Sequence, residues 1–215
     1  MSSDNISWEN DIAIEYQKEN RNISWKESKL NYQSSIGILS YSDVAVMWDC
    51  EEPLMKEMAA TIKGKGEIVL EVGYGLGISA KLIDSDEIVK THVIIEANEG
   101  IYNNLVDYSK TVKNINVIPV LDYFENWVVK QPSDYFDCVF FDTFPIKEFT
   151  DDHTIRNFKE IYRIMKVGGT FTFYDHYQAG PKIMKDSLLL YGFSNENIKY
   201  YKSSFEDFYV YTITK

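Results

Sequence analysis

Cysteine, proline and positive charge are all scarce in this chain. Two cysteines, Cys50 and Cys138, are too few for a disulfide scaffold or a thiolate metal framework. Cys138 falls in an apolar stretch, where a thiol is expected to be buried and inert. Lysine and arginine number 22 against 33 acids, leaving a net charge of −11. That balance argues against binding nucleic acid or an anionic membrane surface, and leans slightly toward a cationic substrate. No apolar run approaches the ~18 residues needed to cross a bilayer. The polar start Met1-Ser2-Ser3-Asp4-Asn5 does not read as a secretory leader. A cytoplasmic setting is therefore expected. Repeats, low-complexity tracts and interdomain linkers are lacking too, so residues 1–215 are expected to form a single domain. Within it, residues 1–45 read as an N-terminal lid or extension and residues 46–215 as the core.

What is present is a folded chain's share of apolar residues, 45%, arranged in alternating blocks. Strands are predicted near 67–72, 92–96, 115–119, 136–142 and 169–175. Helices are predicted near 77–84, 99–109, 123–130, 151–165 and 180–190, with a further one from Glu52 that has Pro53 in its first turn and Gly64 past its end. Such alternation predicts an α/β fold: a doubly wound, mostly parallel, seven-stranded sheet with helices on both faces. The tail departs from it. Ile198-Lys199-Tyr200-Tyr201 and Phe208-Tyr209-Val210-Tyr211-Thr212-Ile213 are joined by a short polar loop, which predicts an antiparallel hairpin closing the sheet. Residues 1–45 lack a strong period, although Trp8, Ile12, Tyr16 and Ile23 suit a loose amphipathic helix.

The densest motif is Ile68-Val69-Leu70-Glu71-Val72-Gly73-Tyr74-Gly75-Leu76-Gly77. An apolar strand ends in an acid and three alternate glycines, which allow a tight turn and close approach of a ligand. A second strand, His92-Val93-Ile94-Ile95-Glu96, ends in an acid nineteen positions after Gly77. That interval matches a carboxylate gripping a ribose diol, so the pair predicts an adenosine-containing cofactor. Dinucleotide sites have Gly-x-Gly-x-x-Gly instead, where a pyrophosphate meets the helix. The glycine spacing and the terminal hairpin narrow the cofactor to S-adenosylmethionine. Glu71 then either holds the ammonium group of the cofactor's amino-acid tail or hydrogen-bonds the glycine turn. Phe124, in Asp122-Tyr123-Phe124-Glu125, either covers the adenine or belongs to the core. Asp142 ends the apolar strand Phe136–Phe141 at the edge where ligands bind in open α/β sheets; it either orients a nucleophilic nitrogen and takes its proton or caps the next turn.

These residues resemble the guanidinoacetate N-methyltransferase family from about Val46 to Gly169. The stretches that carry the resemblance are Val46-Met47-x-x-x-Glu51-x-Pro53-x-Met55, Leu70-Glu71-Val72-Gly73-Tyr74-Gly75, Ile94-Ile95-Glu96-x-Asn98-x-Gly100, Val117-Ile118-Pro119, Phe136-Asp137, Asp142-Thr143-Phe144-Pro145 and Gly168-Gly169. The glycine motifs are shared by many methyltransferases; the Met-x-x-x-Glu-x-Pro and Asp-Thr-aromatic-Pro runs are far more specific. The resemblance implies that Glu51 and Asp142, with Thr143, clamp a guanidinium group, and that Met47, Trp25 and Tyr32 lie near the cofactor or pack in a lid. A guanidinium is a planar fork of N–H donors, so two carboxylates can engage two of its edges. Its pKa exceeds ~12, so one carboxylate must accept a proton as the methyl arrives.

Three departures from the family pattern are visible. Cys50 stands where the family has tryptophan, Trp48 lies two positions earlier, and Glu52 adjoins the clamp position, where Glu51 preserves the spacing to Pro53. The turn Phe173-Tyr174-Asp175-His176-Tyr177-Gln178 carries an acid where the family binds the carboxylate of guanidinoacetate. Arginine, agmatine or another small guanidine or amine therefore stands beside guanidinoacetate as a candidate acceptor. The protein is expected as a monomer or homodimer without a metal. Two other classes remain: a nicotinamide-dependent oxidoreductase on the same turn, and a non-catalytic methyltransferase-like partner subunit.

Overall fold

A computed structural model describes residues 25–33, 38–41, 44–143, 154–175, 180–205 and 208–215. The helix suggested by Trp8, Ile12, Tyr16 and Ile23 lies outside the described residues, as do Phe144, Pro145 and His176. The first strands, β1 (Leu30–Gln33), β2 (Ile38–Tyr41) and β3 (Val44–Trp48), pair antiparallel as a small separate sheet. This sheet was not expected. Its strands have only four or five residues, and β3 is apolar throughout, so no period of two shows.

Helix α1 (Glu52–Ile62) follows, with Pro53 in its first turn, where a missing N–H costs nothing. Leu54, Met55, Met58 and Ile62 bury one stripe of it. The alternating unit then runs β4 (Ile68–Val72), α2 (Ile78–Asp84), β5 (Thr91–Glu96), α3 (Glu99–Thr111), β6 (Asn116–Leu121), α4 (Phe124–Val128), β7 (Phe136–Phe141), α5 (Phe158–Ile164), β8 (Met165–Asp175) and α6 (Gly180–Leu190). A short 3-10 turn, Ile155–Asn157, leads into α5. The chain closes with β9 (Ile198–Lys202) and β10 (Tyr209–Thr214).

The seven-stranded sheet has the order β6-β5-β4-β7-β8-β10-β9. Strands β4 to β8 run parallel, and β10 is antiparallel to both β8 and β9, as the tail predicts. Strands β4, β5 and β7 are nearly continuous apolar runs because helices cover both of their faces. One face is largely aromatic: Phe158, Phe171, Phe173 and Tyr211 are fully buried, and the Phe173 and Tyr211 rings stack at 4.6 Å. The other face seats α1 through Leu54, Met55 and Met58, together with Met47 and Tyr74. Asp137 ties the entry ends of β4 and β7: it accepts the Ile68 N–H at 2.8 Å and the Lys166 ammonium at 2.7 Å. Among the described residues, no helix is long and apolar enough to cross a membrane.

The chain order reverses between β4 and β7, so the connections leaving those strands part and open a crevice at their C-terminal ends. Gly73 follows β4 and Asp142 follows β7. Because Val72 pairs with Phe141, these two residues stand side by side at its mouth.

Candidate active site

The glycine turn is built to pack against the chain itself. Gly73, Gly75 and Gly77 all have positive φ, +92°, +51° and +69°, a region that residues with a Cβ rarely enter. A Cβ on Gly73 would fall 1.9 Å from the Asp142 carbonyl oxygen, one on Gly75 2.5 Å from the Met47 sulfur, and one on Gly77 2.6 Å from the Tyr74 hydroxyl. Positive φ and these close protein contacts both require glycine at the three positions. Gly73→Ala is expected to force the two strand ends apart and destabilise the fold by about 2 kcal/mol, a melting point lower by about 6 °C. A variant that melts within a degree of the parent would show that the turn tolerates a side chain.

Met47 joins β3 to this turn. It is 6% exposed, and its sulfur accepts the Leu76 N–H at 3.2 Å. Trp25 lies in a 3-10 turn (Trp25–Glu27) bound to the other side of the crevice, where the Asn98 side chain donates to the carbonyls of Trp25 (2.9 Å) and Ser28 (2.8 Å). The opposite end of the same amide caps α3, accepting from Gly100 and Ile101. The N-terminal segment is therefore fastened at both cofactor-side strands. Tyr32 lies in β1, paired with Leu39.

Glu96 ends β5, 7% exposed. It accepts N–H bonds from Tyr74 (3.1 Å) and Asn98 (2.8 Å). Burial raises its pKa against the pull of these backbone donors. The backbone of Gly75 and Ala97 also bonds to it, so the carboxylate is held by the glycine turn on one side and the start of α3 on the other. Strand-end position and residue type fit the adenosine part of S-adenosylmethionine.

Glu71 departs from the ammonium-binding expectation. It is fully buried, its Oε1 accepts the Ser79 hydroxyl, and its Oε2 lies 3.0 Å from His92 Nε2 in an ion contact not aligned as a hydrogen bond. His92 Nδ1 meets Asp84 at 2.9 Å, and Asp84 accepts the Tyr108 hydroxyl at 2.6 Å. A chain of polar groups thus crosses from α3 through α2 and β5 to β4, behind the glycine turn. Burial alone would depress the His92 pKa, but the Asp84 hydrogen bond, the close Glu71 contact and the charges of both acids outweigh it and push the value up to about 9. Glu71 is therefore an internal support of the turn. Phe124 is also a core side chain, 4% exposed, with its ring edge-on to Phe141 at 5.5 Å. Of the two readings of Phe124, that burial favours the core.

The chemistry-bearing end is formed by β7, β8 and the turn before α1. Asp142 is partly buried. Burial, then the negative charge of Glu71, pushes its carboxyl up to about 7, while a hydrogen bond donated by the Tyr174 hydroxyl works the other way. Tyr174 stands close enough to both Asp142 and Glu51 for their charges to raise its own pKa further, after burial. Glu51 lies in the 3-10 turn Asp49–Glu51, partly buried, and its Oε1 accepts the Trp48 N–H at 3.3 Å. Glu52 instead points outward, paired with Lys56 at 2.8 Å with both side chains about half exposed. That contrast favours Glu51 over its neighbour as the site carboxylate. Thr143, next to Asp142, is partly buried. Among the described residues no cluster of histidine, cysteine or acid is suited to a metal ion.

Tyr174 was missed in the sequence, although a signal for it existed. Alternation along β8 puts Phe171 and Phe173 on the aromatic face and Tyr174 on the opposite one, at the strand end that meets the crevice.

A sheet of this order, with its glycine turn and strand-end acid at the switch point, defines an S-adenosylmethionine-dependent methyltransferase. The guanidinoacetate N-methyltransferase family model matches residues 13–199, and the chain belongs to that family. Solved structures agree on the fold. Spermidine synthase from Thermotoga maritima superposes with a TM-score of 0.65 at 16% identity, covering 86% of this chain and 67% of that one. TYW2 from M. jannaschii in complex with AdoMet gives 0.57 at 18% identity, covering 89% and 86%. A SAM-dependent methyltransferase from Archaeoglobus fulgidus gives 0.57 at 15% identity, covering 78% and 94%.

Proposed function

We propose that the protein methylates a nitrogen of a small guanidino compound, with guanidinoacetate (giving creatine) the first acceptor to test and arginine and agmatine next. The observation that carries this reading is that Tyr174 bonds Asp142 and also lies within reach of the charge of Glu51, a carboxylate from a separate element. Bound S-adenosylmethionine supplies an electrophilic methyl group and leaves as S-adenosylhomocysteine. Glu96 would hold the ribose of that cofactor, and Met47 and Trp25 border its end of the crevice. The protein's own task is to bind a planar cation, orient one nitrogen and remove its proton. Asp142 accepts that proton, and Glu51 accepts N–H bonds from the remaining nitrogens, which fixes the plane of the fork.

The raised pKa of Asp142 matters here. Its carboxyl is neutral below about pH 7 in the absence of acceptor, and a neutral carboxyl neither attracts a guanidinium nor takes its proton. The groups that act on it are Glu71 and Tyr174, neither of them cationic, so an arriving cation meets no competing positive charge from them. We expect kcat/KM to rise with pH, reach half its plateau near pH 7, and level off above it. The test is S-adenosylhomocysteine release across a panel of guanidinoacetate, arginine, agmatine and simple amines, with Glu51→Gln as a control. Activity confined to guanidines and reduced in Glu51→Gln supports the reading. Turnover of amines alone, or a flat profile from pH 5.5 to 8.5, would sink it.

A further inference from the structure

We propose that Tyr174 is the positioning residue for Asp142 and a determinant of which acceptors the site admits. The inference rests on the reading of Asp142 as the proton acceptor. The register pairs Phe141 with Phe173, so the next residues stand side by side, Asp142 just past the end of β7 and Tyr174 one residue before the end of β8. The phenol O–H donates to the carboxylate. The ring cannot easily swing away, because it packs edge-on against Phe208 at 5.5 Å, and Phe208 stacks on Phe205 at 6.0 Å.

The chemistry follows from what a phenol can do in that place. Burial, Asp142 and Glu51 all oppose its ionisation, so Tyr174 stays protonated and serves as a donor, never as a competing base. Its O–H fills one of the roughly four acceptor positions of Asp142 and holds the carboxylate in one orientation. The bond also favours the ionised form that the reaction needs, against burial and against Glu71. Tyr174 and Phe208 place aromatic surface beside Asp142. A flat cation suits that setting, because its face can lie on an aromatic ring while its edge meets a carboxylate.

Tyr174→Phe keeps the ring and deletes the donor. In the protein without acceptor, the 13C carboxyl titration of Asp142, assigned by its loss in Asp142→Asn, is expected to move up by about one pH unit. The acid limb of kcat/KM should follow it, with kcat/KM at pH 6.5 falling about tenfold while S-adenosylhomocysteine affinity holds. Replacement of Tyr174 by 3-fluorotyrosine, a stronger donor of the same shape, should move the titration downward. Tyr174→Ala should raise the preference for bulky N-substituted guanidines over unsubstituted ones about tenfold. An unmoved titration in both the Phe and fluorotyrosine proteins overturns the positioning role, and an unmoved preference in Tyr174→Ala overturns the selectivity role. The carboxyl titration needs no acceptor, so it separates a failure of this inference from a failure of the proposed reaction.

Discussion

Asp142→Asn is expected to lower kcat/KM for a guanidine acceptor by about 10³-fold with little effect on S-adenosylhomocysteine affinity. Asparagine has the same shape, so it preserves the close approach to Gly73, which involves only the Asp142 backbone carbonyl. It cannot take a proton, and it contributes no charge to a guanidinium fork. Glu51→Gln should be milder, about tenfold and mostly in KM, because the amide oxygen can still accept an N–H. The stability change should have the opposite sign. A carboxyl whose folded pKa is raised from 3.8 to about 7 favours folding fully below the lower value and loses that contribution as pH rises through the upper one. Above pH 7 its ionisation weighs against the fold, so Asp142→Asn should melt higher than the parent at pH 8 while turning over far more slowly. Calorimetry beside steady-state kinetics checks both. Equal activity in parent and variant, or a lower melting point at pH 8, would remove Asp142 from the catalytic role.

His92→Leu is expected to be among the most destabilising single changes available in this chain. The imidazole is fully buried between Glu71 and Asp84, and its removal leaves two carboxylates facing an apolar side chain. Breaking a buried ion pair in this way costs about 3–5 kcal/mol, and for a chain of this length the melting point should fall by about 10 °C. The pH dependence gives a second signature. The His92 pKa is raised from 6.5 to about 9, so its contribution is fully present below pH 6.5 and disappears as pH climbs through 9. The parent should lose on the order of 3 kcal/mol across that window from this group. His92→Leu should lack that decline. Melting curves from pH 6 to pH 10 test it; a parallel fall in both proteins would mean that His92 stays neutral in the fold.

These two residues also show what a sequence can convey. The alternating blocks from Ile68 onward were legible because parallel strands covered on both faces are nearly unbroken apolar runs. The closing hairpin was legible because its connection is too short for a crossover. Glu96 and Asp142 stood out because an acid directly after an apolar strand marks the ligand-binding edge. His92 sat in plain view one residue into β5, yet nothing local indicates that its ring bridges Glu71, twenty-one residues back, and Asp84 on a helix. Tyr174 was hidden for a related reason: it joins Asp142 only through the pairing of β7 with β8, across more than thirty residues of chain. Phe124 was ambiguous because an aromatic just past a strand end satisfies a core and a ligand equally well. The β1–β3 sheet escaped because its strands are too short to establish a pattern, so register defines them.

The Asn98 amide has a topological consequence. By holding the backbone of Trp25 and Ser28 from a point some seventy residues later, it turns residues 29 to 97 into a ring closed by hydrogen bonds. Inside that ring, the Met47 sulfur on the Leu76 N–H is a cross-brace dividing it into two smaller loops. The stretch from Trp25 to Met47 is thus moored to the core at each of its two ends, so cutting either mooring enlarges a loop without releasing the other.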